Sequence, residues 1–387
     1  MSVRGTLTGL AAVGLVLTMA ACGGGASGAD SSAASESATA PAAQPLPSDI
    51  TSALASELEA GVAEYGAPGA VAYVCAPGYE DWSAAVGVAD LDTQAPMTAD
   101  LEWGIRSITK SFTVTMILQL ADEGLLSLDD TIDTWVSDIP NGSQVTLRQL
   151  AAMTAGVPDY VTQAFVEDFF ADLSRDFTTE ELIDYARAGE PMFPPGEGHV
   201  YANSATLMLG RVVEEVTGQS FAEALQARIV DPLGLEGTRY PATATDWAGP
   251  HPIGYQPGDD GELTAQPDNF TVFGPAGAMT STAADLCAWA TAMGEGSLLS
   301  AGLQAERVAG TPLEEGPEYD TYGLGIGDVN GWIGHTGEGF GITALAMHDV
   351  ASGTSAVVLM NLSGTGVHAP TRVFRGMTDT LAGIPPR

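Results

Sequence analysis

A serine and a lysine three residues apart are the strongest sign of chemistry in this sequence. The segment RSITKSF, residues 106–112, contains Ser107 and Lys110, and Lys110 is the only lysine among the 387 residues. Arginine and lysine can both form surface ion pairs, but only the lysine amine can lose its proton near neutral pH when it is desolvated. The lone lysine therefore indicates chemistry, although GC-rich coding, which the many alanines and glycines suggest, also depletes lysine.

The two side chains can act together because the surrounding sequence predicts a helix over residues 107–123. Residues three apart lie on one face of a helix, one turn from each other. A serine hydroxyl is a weak nucleophile that needs an adjacent base, and a buried lysine with a lowered pKa can be that base. The positive end of the helix dipole near Ser107 would also stabilise an oxyanion. The alternative is a capping serine beside a surface lysine.

Strand and helix patterns place this pair between two groups of strands. The strand patterns are residues 69–76, 82–91, 332–337, 341–349 and 354–362. The helical patterns are residues 49–65, 107–123, 146–154, 179–188, 204–217, 220–230, 282–294 and 369–382. The sequence therefore predicts an α/β (α+β) fold. Its antiparallel sheet is built from both chain ends and flanked by helices, and a mainly helical lobe is inserted between them.

The N-terminus resembles an export signal with a lipid-attachment site. Arg4 precedes a short apolar run, and MAAC, ending at Cys22, resembles the lipobox of bacterial lipoproteins. We therefore expect residues 1–22 to be a signal peptide, with the mature protein lipid-anchored through Cys22 to the outer face of the cell membrane. The alternative is ordinary secretion. Residues 23–48 are mostly Gly, Ser, Ala and Pro, which predicts a disordered linker.

Charge and cysteine content limit the partners. The net charge of −36 opposes binding to nucleic acid and to anionic lipid headgroups. The histidines lack the spacing of metal ligands, so neither a metal nor another cofactor is expected.

Export would permit a disulfide between Cys75 and Cys287, but the sequence alone does not bring them together, and we expect two buried free thiols. We also expect a monomer.

Three motifs in a fixed order carry a resemblance to a known superfamily. The first lies in residues 103–130, WGIRSITKSFTVTMILQLADEGLLSLDD, the second is YAN, residues 201–203, and the third is HTG, residues 335–337. Together they resemble the serine β-lactamase and penicillin-binding peptidase superfamily, in particular its class C β-lactamase, D-alanyl-D-alanine carboxypeptidase and esterase branch. The resemblance covers about residues 50–385.

The resemblance implies a serine β-lactamase-like fold for one domain, residues 49–387. Within this domain we expect a sheet lobe, about residues 49–106 and 331–387, and a helical lobe, about residues 107–330. The lobes would meet where the three motifs converge, since the first motif begins the helical lobe and the third begins the returning strands.

The resemblance also implies a role for each residue of the first two motifs. Ser107 attacks the substrate carbonyl and becomes acylated. Lys110 and Tyr201 share proton transfer between the attack and the departure of the leaving group, and which of the two is the general base stays open. Asn203 hydrogen-bonds the lysine and the substrate amide.

The third motif is implied to form the strand beside the pocket. Thr336 binds substrate together with His335 and Gly337, and the backbone N–H of Glu338 forms an oxyanion hole with that of Ser107. Many relatives have lysine where this chain has His335, so we expect the charge at this position to depend on pH.

Two departures from the family pattern bear on the substrate. The Glu-x-x-Leu-Asn segment that activates the deacylating water in class A β-lactamases has no counterpart, so deacylation would rely on Lys110 and Tyr201. Some carboxypeptidases hold the substrate carboxylate with an arginine shortly before the third motif, but no arginine lies between Arg307 and Arg372. Arg372 itself is more simply a solvated helix charge. With Glu338 beside the pocket, the sequence favours an esterase or amidase over a carboxypeptidase.

We therefore predict a serine hydrolase that cleaves an amide or ester through an acyl-enzyme, as an esterase, an amidase or a D-alanyl-D-alanine carboxypeptidase-like enzyme. Its substrate would be a small molecule, a peptide or an ester. The alternatives are a β-lactamase and a non-catalytic ligand-binding lipoprotein with the same fold. The intact Ser107, Lys110 and Tyr201 argue against the non-catalytic alternative.

Overall fold

The computed structural model describes residues 43–387 of the chain. The predicted signal peptide, the lipid-attachment cysteine Cys22 and most of the predicted linker lie outside these residues. Among residues 43–387, no helix combines the length and the apolar character that crossing a membrane requires.

Eleven helices are present in residues 43–387. They are α1 Ser48–Tyr65, α2 Thr109–Asp122, α3 Leu147–Ala151, α4 Gln163–Ala171, α5 Thr179–Arg187, α6 Asn203–Thr217, α7 Phe221–Leu225, α8 Asp231–Leu233, α9 Ala283–Glu295, α10 Ala301–Arg307 and α11 Ala369–Ala382. Short 3₁₀ turns lie at Arg106–Ile108, Ile132–Thr134 and Thr271–Ala276, and a π turn lies at Gln226–Val230. The helices predicted from the sequence are confirmed to within a few residues, whereas α4 and α10 were not predicted.

Strands from the two chain ends form a single seven-stranded sheet. The eleven strands in residues 43–387 are β1 Gly69–Cys75, β2 Trp82–Gly87, β3 Trp103–Gly104, β4 Tyr255–Pro257, β5 Leu263–Ala265, β6 Thr280–Ser281, β7 Thr321–Tyr322, β8 Gly327–Val329, β9 Trp332–Gly339, β10 Ile342–Asp349 and β11 Thr354–Met360. The large sheet has the order β2-β1-β11-β10-β9-β8-β7 and is antiparallel throughout. The expected sheet built from both chain ends is confirmed.

Helices cover both faces of this sheet, so its central strands are buried on both sides. Every residue of β11 is buried, as its continuous apolar run TSAVVLM indicates. Helices α1 and α11 pack on one face, where Leu54 and Leu58 of α1 and Phe374 of α11 are fully buried. Helix α9 packs on the opposite face, and its Trp289 stacks on Phe112 of α2 with ring centroids 3.8 Å apart. These contacts join the sheet to the helix that begins beside Ser107.

The structure differs from the sequence-based expectation in the segment before residue 331 and at the end of the predicted linker. Strands β7 and β8 belong to the sheet, and α9 packs against it, although all three lie in the segment expected to form the helical lobe. The predicted linker also ends earlier than expected, because Gln44 pairs with Tyr79 and Leu46 is buried in the core. The alternation of apolar and polar residues in such short strands of a glycine-rich segment is too weak to be recognised in the sequence.

Cys75 of β1 and Cys287 of α9 form a disulfide, so the expectation of two free thiols was wrong. Their Cα atoms lie 6.2 Å apart, within the usual range for a disulfide. The two cysteines are 212 residues apart in sequence. Only the packing of α9 across the sheet brings them together, which the local sequence pattern could not reveal.

Candidate active site

The candidate nucleophile lies in a tight turn that leads into α2. Ser107 is half-buried in the 3₁₀ turn Arg106–Ile108, and α2 continues from Thr109. Arg106 adopts the left-handed conformation, with φ of +53°, which is uncommon for a residue with a side chain. The Arg106 Nε donates to the carbonyl oxygen of Gly339 at 2.9 Å. This hydrogen bond joins the serine turn to the end of β9.

Lys110 points into the same site and is completely buried. Its Nζ donates three hydrogen bonds: to Ser107 Oγ at 3.0 Å, to Asn203 Oδ1 at 2.8 Å and to the carbonyl oxygen of Ala276 at 2.8 Å. Burial lowers the pKa of Lys110 from 10.5 to about 7, and the negative charge of Asp159 opposes part of that shift. The amine is therefore near half-protonated at neutral pH, in contact with the serine hydroxyl.

Asn203 is oriented by an aspartate that the sequence analysis did not single out. Asp159 accepts from the backbone N–H of Asn203 at 2.6 Å and from its Nδ2 at 3.2 Å. Because the amide nitrogen is held in this way, the Oδ1 atom of Asn203 faces the Lys110 ammonium. Asp159 precedes Tyr160 in a loop between α3 and α4, and no local pattern marks it as part of the site.

Tyr201 lies between the lysine and the returning strands. Its ring is 4.9 Å from Lys110 Nζ, measured to the ring centroid. The phenol is close enough to Ser107 for that hydroxyl to favour its ionised form, but it makes no hydrogen bond of standard geometry with any of residues 43–387. Burial first, then Tyr322 and Tyr319, raise the pKa of Tyr201 well above 10.0. The phenol is therefore neutral at physiological pH.

His335 lies behind the pocket and is neutral at physiological pH, so the expected change of its charge is displaced to acidic pH. Its Nδ1 is 2.6 Å from the Thr336 carbonyl oxygen, which can only accept, so Nδ1 carries the proton. Tyr322 donates to Nε2 at 3.1 Å. Burial first, with the nearby Lys110 charge, lowers the pKa of His335 from 6.5 to about 3. A side chain enclosed by aromatic rings cannot be ionised at the low cost that an exposed histidine would have.

The strand that carries the third motif packs directly against the serine turn. A Cβ atom at Gly337 would lie 2.3 Å from the Ile105 carbonyl oxygen and 3.1 Å from the Ser107 backbone nitrogen, so only glycine fits. The Thr336 hydroxyl lies 2.7 Å from the hydroxyl of Tyr319. Glycine thus lets the β9 backbone approach the nucleophile, and Thr336 stands one residue away on the other side of the strand.

Most of the predicted site residues line one cavity of about 210 Å³. It is lined by Ser107, Tyr201, Asn203, Pro317, Thr336, Gly337, Glu338 and His368. Lys110 lies beneath the cavity and His335 lies behind it. Lys110 hydrogen-bonds Ser107 and His335 hydrogen-bonds the Thr336 carbonyl, and both of these partners line the cavity. The fold therefore brings together all eight residues that the sequence analysis selected for catalysis and substrate binding.

His368 and Pro317 complete the cavity but were not predicted. His368 precedes α11, accepts from the Thr371 backbone N–H at 3.3 Å and donates from Nε2 to the Gly337 carbonyl at 3.1 Å. Burial lowers its pKa, so the imidazole is neutral. A lone histidine has no spacing that marks it as a site residue, and only the hydrogen bond to Gly337 of β9 reveals it.

Arg372 is not free to hold a substrate carboxylate. Its Nη2 atom forms an ion pair with Glu318 Oε1 at 2.9 Å, on the rim of the site. No cationic side chain is among the residues that line the cavity. Among residues 43–387, no cluster of three histidine, cysteine or carboxylate side chains could hold a metal ion.

Similarity to known proteins extends over most of the chain. A family model described as Beta-lactamase matches residues 54–375. Penicillin-binding protein 4 of Amycolatopsis lactamdurans is 29% identical over 352 residues, which are 83% of this chain and 87% of that protein. Penicillin-binding protein 4* of Bacillus subtilis (strain 168) is 29% identical over 157 residues, 40% of this chain. Esterase EstB of Burkholderia gladioli is 32% identical over 180 residues, 43% of this chain. The matched region spans 34% of the Bacillus protein and 45% of the esterase.

Solved structures share the same fold over nearly the whole described region. A D-stereospecific amidohydrolase from Streptomyces sp. superimposes with a TM-score of 0.76 at 28% identity, covering 87% of this chain and 99% of that one. An octameric penicillin-binding protein homologue from Pyrococcus abyssi superimposes with a TM-score of 0.73 at 26% identity, covering 86% of this chain and 77% of that one.

Proposed function

This chain belongs to the Beta-lactamase family and is a serine hydrolase, and from that premise we propose that it cleaves an ester or amide through an acyl-enzyme on Ser107. The observation that carries the proposal is the 3.0 Å hydrogen bond between Lys110 Nζ and Ser107 Oγ. A nucleophile and a base in hydrogen-bond contact, with the base oriented by a third group, is the arrangement that activates a serine. Asn203, held by Asp159, is that third group.

Of the two candidate bases, the protonation states favour Lys110. An amine with a pKa of about 7 is partly neutral at pH 7, whereas the Tyr201 phenol has a pKa raised well above 10.0 and keeps its proton. Lys110 therefore takes the Ser107 proton as Oγ bonds to the substrate carbonyl carbon. Tyr201 then gives its proton to the leaving group as the bond from that group to the carbonyl carbon breaks, and takes in its place the proton that Lys110 removed from Ser107. Both residues thus return to their starting protonation states. In the second half-reaction Lys110 and Tyr201 activate a water molecule, which attacks the acyl carbon. The bond between this carbon and Ser107 Oγ then breaks, the acid product leaves, and Ser107 regains its proton.

The remaining residues hold the substrate in this mechanism. We assign the oxyanion hole to the backbone N–H groups of Ser107 and Glu338, a role supported by the contact of Gly337 with the serine turn. Thr336 and the Asn203 amide contact the substrate, since both line the cavity. His335, neutral and fixed by Tyr322, supports the strand and does not supply charge.

The substrate class that fits best is an ester or amide without a free carboxylate next to the scissile bond. The cavity has no cationic lining residue, and Arg372 is paired with Glu318. This favours an esterase or amidase over a D-alanyl-D-alanine carboxypeptidase. A β-lactamase is the second candidate, because the family model described as Beta-lactamase matches residues 54–375.

The test combines a fluorescent penicillin and a p-nitrophenyl ester with intact-protein mass spectrometry. We expect ester turnover and a transient acyl adduct, both lost in Ser107→Ala. A stable penicilloyl adduct would favour a peptidase instead, and rapid turnover of the penicillin would favour a β-lactamase. The absence of any adduct or turnover would favour the non-catalytic ligand-binding protein and refute the proposal.

We also propose that residues 49–387 form the hydrolase domain of an exported protein, lipid-anchored through Cys22 to the outer face of the cell membrane. The proposal rests on the apolar run, the lipobox-like MAAC and the linker composition. Detergent phase partitioning should place the wild-type protein in the detergent phase and Cys22→Ala in the aqueous phase. Ordinary secretion predicts the aqueous phase for both. We propose a monomer, which size-exclusion chromatography can distinguish from an octamer such as that of the Pyrococcus homologue.

A further inference from the structure

We propose that Glu338 selects substrates that carry a protonated amine next to the scissile carbonyl, namely aminoacyl esters and amides. The inference deepens the proposed function and rests on it. It concerns the side chain of Glu338, whereas the mechanism above uses only the backbone N–H of that residue.

The carboxylate of Glu338 belongs to the same cavity as the nucleophile. Thr336 and Glu338 of β9 both line the cavity that Ser107 lines, and their side chains project from the same face of the strand because they are two residues apart. Glu338 is the exposed one of the two. The Glu338 Oε1 atom accepts from the backbone N–H of Gly364 at 3.1 Å. This hydrogen bond engages one carboxylate oxygen and leaves the second oxygen without a partner among residues 43–387.

Charges around the cavity make it receptive to a cation. Glu338 is the only lining residue whose side chain is charged at neutral pH, because the neighbouring His368 is neutral. Of the other charged groups near the cavity, Glu318 and Arg372 neutralise each other in an ion pair. The partly protonated Lys110 amine beneath the cavity already donates to Ser107, Asn203 and the Ala276 carbonyl. A substrate carboxylate would therefore meet an unpaired negative charge, whereas an ammonium group would meet a counter-ion. The net charge of −36 adds a field that attracts cations to the protein.

The amine fits best on the acyl side of the scissile bond. In the mechanism above, the backbone N–H of Glu338 binds the carbonyl oxygen of the substrate. An α-amine is two bonds from the carbonyl carbon, so it lies close to the residue that holds that oxygen. We therefore assign the recognition of the amine to the side chain of that same residue.

The test compares the methyl esters of D- and L-phenylalanine with their N-acetylated counterparts, which differ only in the charged amine. The readout is the ratio of kcat/KM for the free-amine ester to that for the acetylated ester. We expect a wild-type ratio above one for the preferred enantiomer. An ion pair at an open rim is worth up to about 1 kcal/mol, so we expect Glu338→Gln to lower the ratio about three- to fivefold. Glutamine keeps the oxygen that accepts from Gly364, and thermal unfolding verifies the fold.

Two further readouts separate charge recognition from a structural effect. The α-amine loses its proton near pH 8, so the wild-type ratio should fall above about pH 8 while that of Glu338→Gln stays flat. Salt should lower the ratio for wild type only. The matched control is Asp379→Asn, which removes an exposed carboxylate of α11 that does not line the cavity and should leave the ratio unchanged.

The outcomes distinguish this inference from the proposed function. If both esters are hydrolysed but the ratio is one or less, or if Glu338→Gln leaves it unchanged, the inference is wrong and the proposed function stands. In 2-aminoethyl benzoate the amine lies on the leaving group. A preference for this ester over ethyl benzoate, without a preference among the methyl esters, would also overturn the inference. If wild type hydrolyses no ester or amide, the proposed function fails and the inference fails with it.

Discussion

The pKa of Lys110 predicts how the acylation rate depends on pH. With a pKa of about 7, half of the amines are neutral at pH 7 and only about 1% at pH 5. A lysine with the ordinary value of 10.5 would be neutral in only about 0.03% of molecules at pH 7, roughly a thousandfold fewer. The sign follows directly: the neutral amine is the base, so kcat/KM should rise about tenfold per pH unit below 7 and level off above about pH 8.

The corresponding substitution is Lys110→Arg, which keeps the positive charge but removes a proton acceptor. A guanidinium does not lose its proton in a protein, so acylation should fall by about 10²–10⁴-fold at pH 8, the usual contribution of a general base. Arg307→Lys is the matched control. Arg307 is also fully buried and donates to the Ser111 carbonyl oxygen of α2 at 3.2 Å, but it does not contact Ser107. Arg307→Lys should leave the inflection of kcat/KM near pH 7 unchanged.

The assay is p-nitrophenyl ester hydrolysis between pH 5 and 9, with intact mass to detect the acyl-enzyme. Thermal unfolding verifies that each variant is folded. Near-normal acylation in folded Lys110→Arg would refute the assigned role of the amine. A wild-type profile that stays flat through pH 7 would refute the lowered pKa, and then Tyr201 would become the candidate base.

Three other predictions concern residues whose roles the tertiary structure defined. His335→Asn should retain the inflection near pH 7 in kcat/KM, because the His335 imidazole, with a pKa of about 3, is already neutral there; loss of the inflection would assign it to the histidine. Asp159→Asn should move the inflection to lower pH, because the Asp159 charge raises the pKa of Lys110; a shift to higher pH would contradict the electrostatics. Replacing Cys75 and Cys287 together by serine should lower the free energy of unfolding by about 5 kcal/mol, since the disulfide closes a loop of 212 residues. Denaturant unfolding measures that loss, and an unchanged midpoint would show that the bond does not contribute.

The sequence predicted those elements whose pattern is long and regular. Helix α1, with Leu54 and Leu58 one turn apart, and strand β11, with its continuous apolar run, are confirmed in nearly the predicted positions. Helix α4 was missed although Phe165 and Phe169 are four residues apart and both buried, which is the spacing of a helix face. Strands as short as β7 and β8 carry no detectable alternation, so their place in the sheet depends on pairing with β9.

The sequence by itself determined the reacting groups. Ser107 lies in the 3₁₀ turn that leads into α2, and Lys110 lies in the first turn of α2. Because this segment is continuously helical, residues three apart share a face, so local geometry alone places Ser107 beside Lys110. The resemblance carried by three short motifs then predicted which distant residues join them.

Only the tertiary structure decided the properties of those groups. Ionisation depends on burial and on neighbours that are remote in sequence, so neither the lowered pKa of Lys110 nor the lowered pKa of His335 could be deduced from the residue types. The orienting contact from Asp159, the place of His368 in the cavity and the disulfide of Cys75 likewise exist only because separate segments pack together.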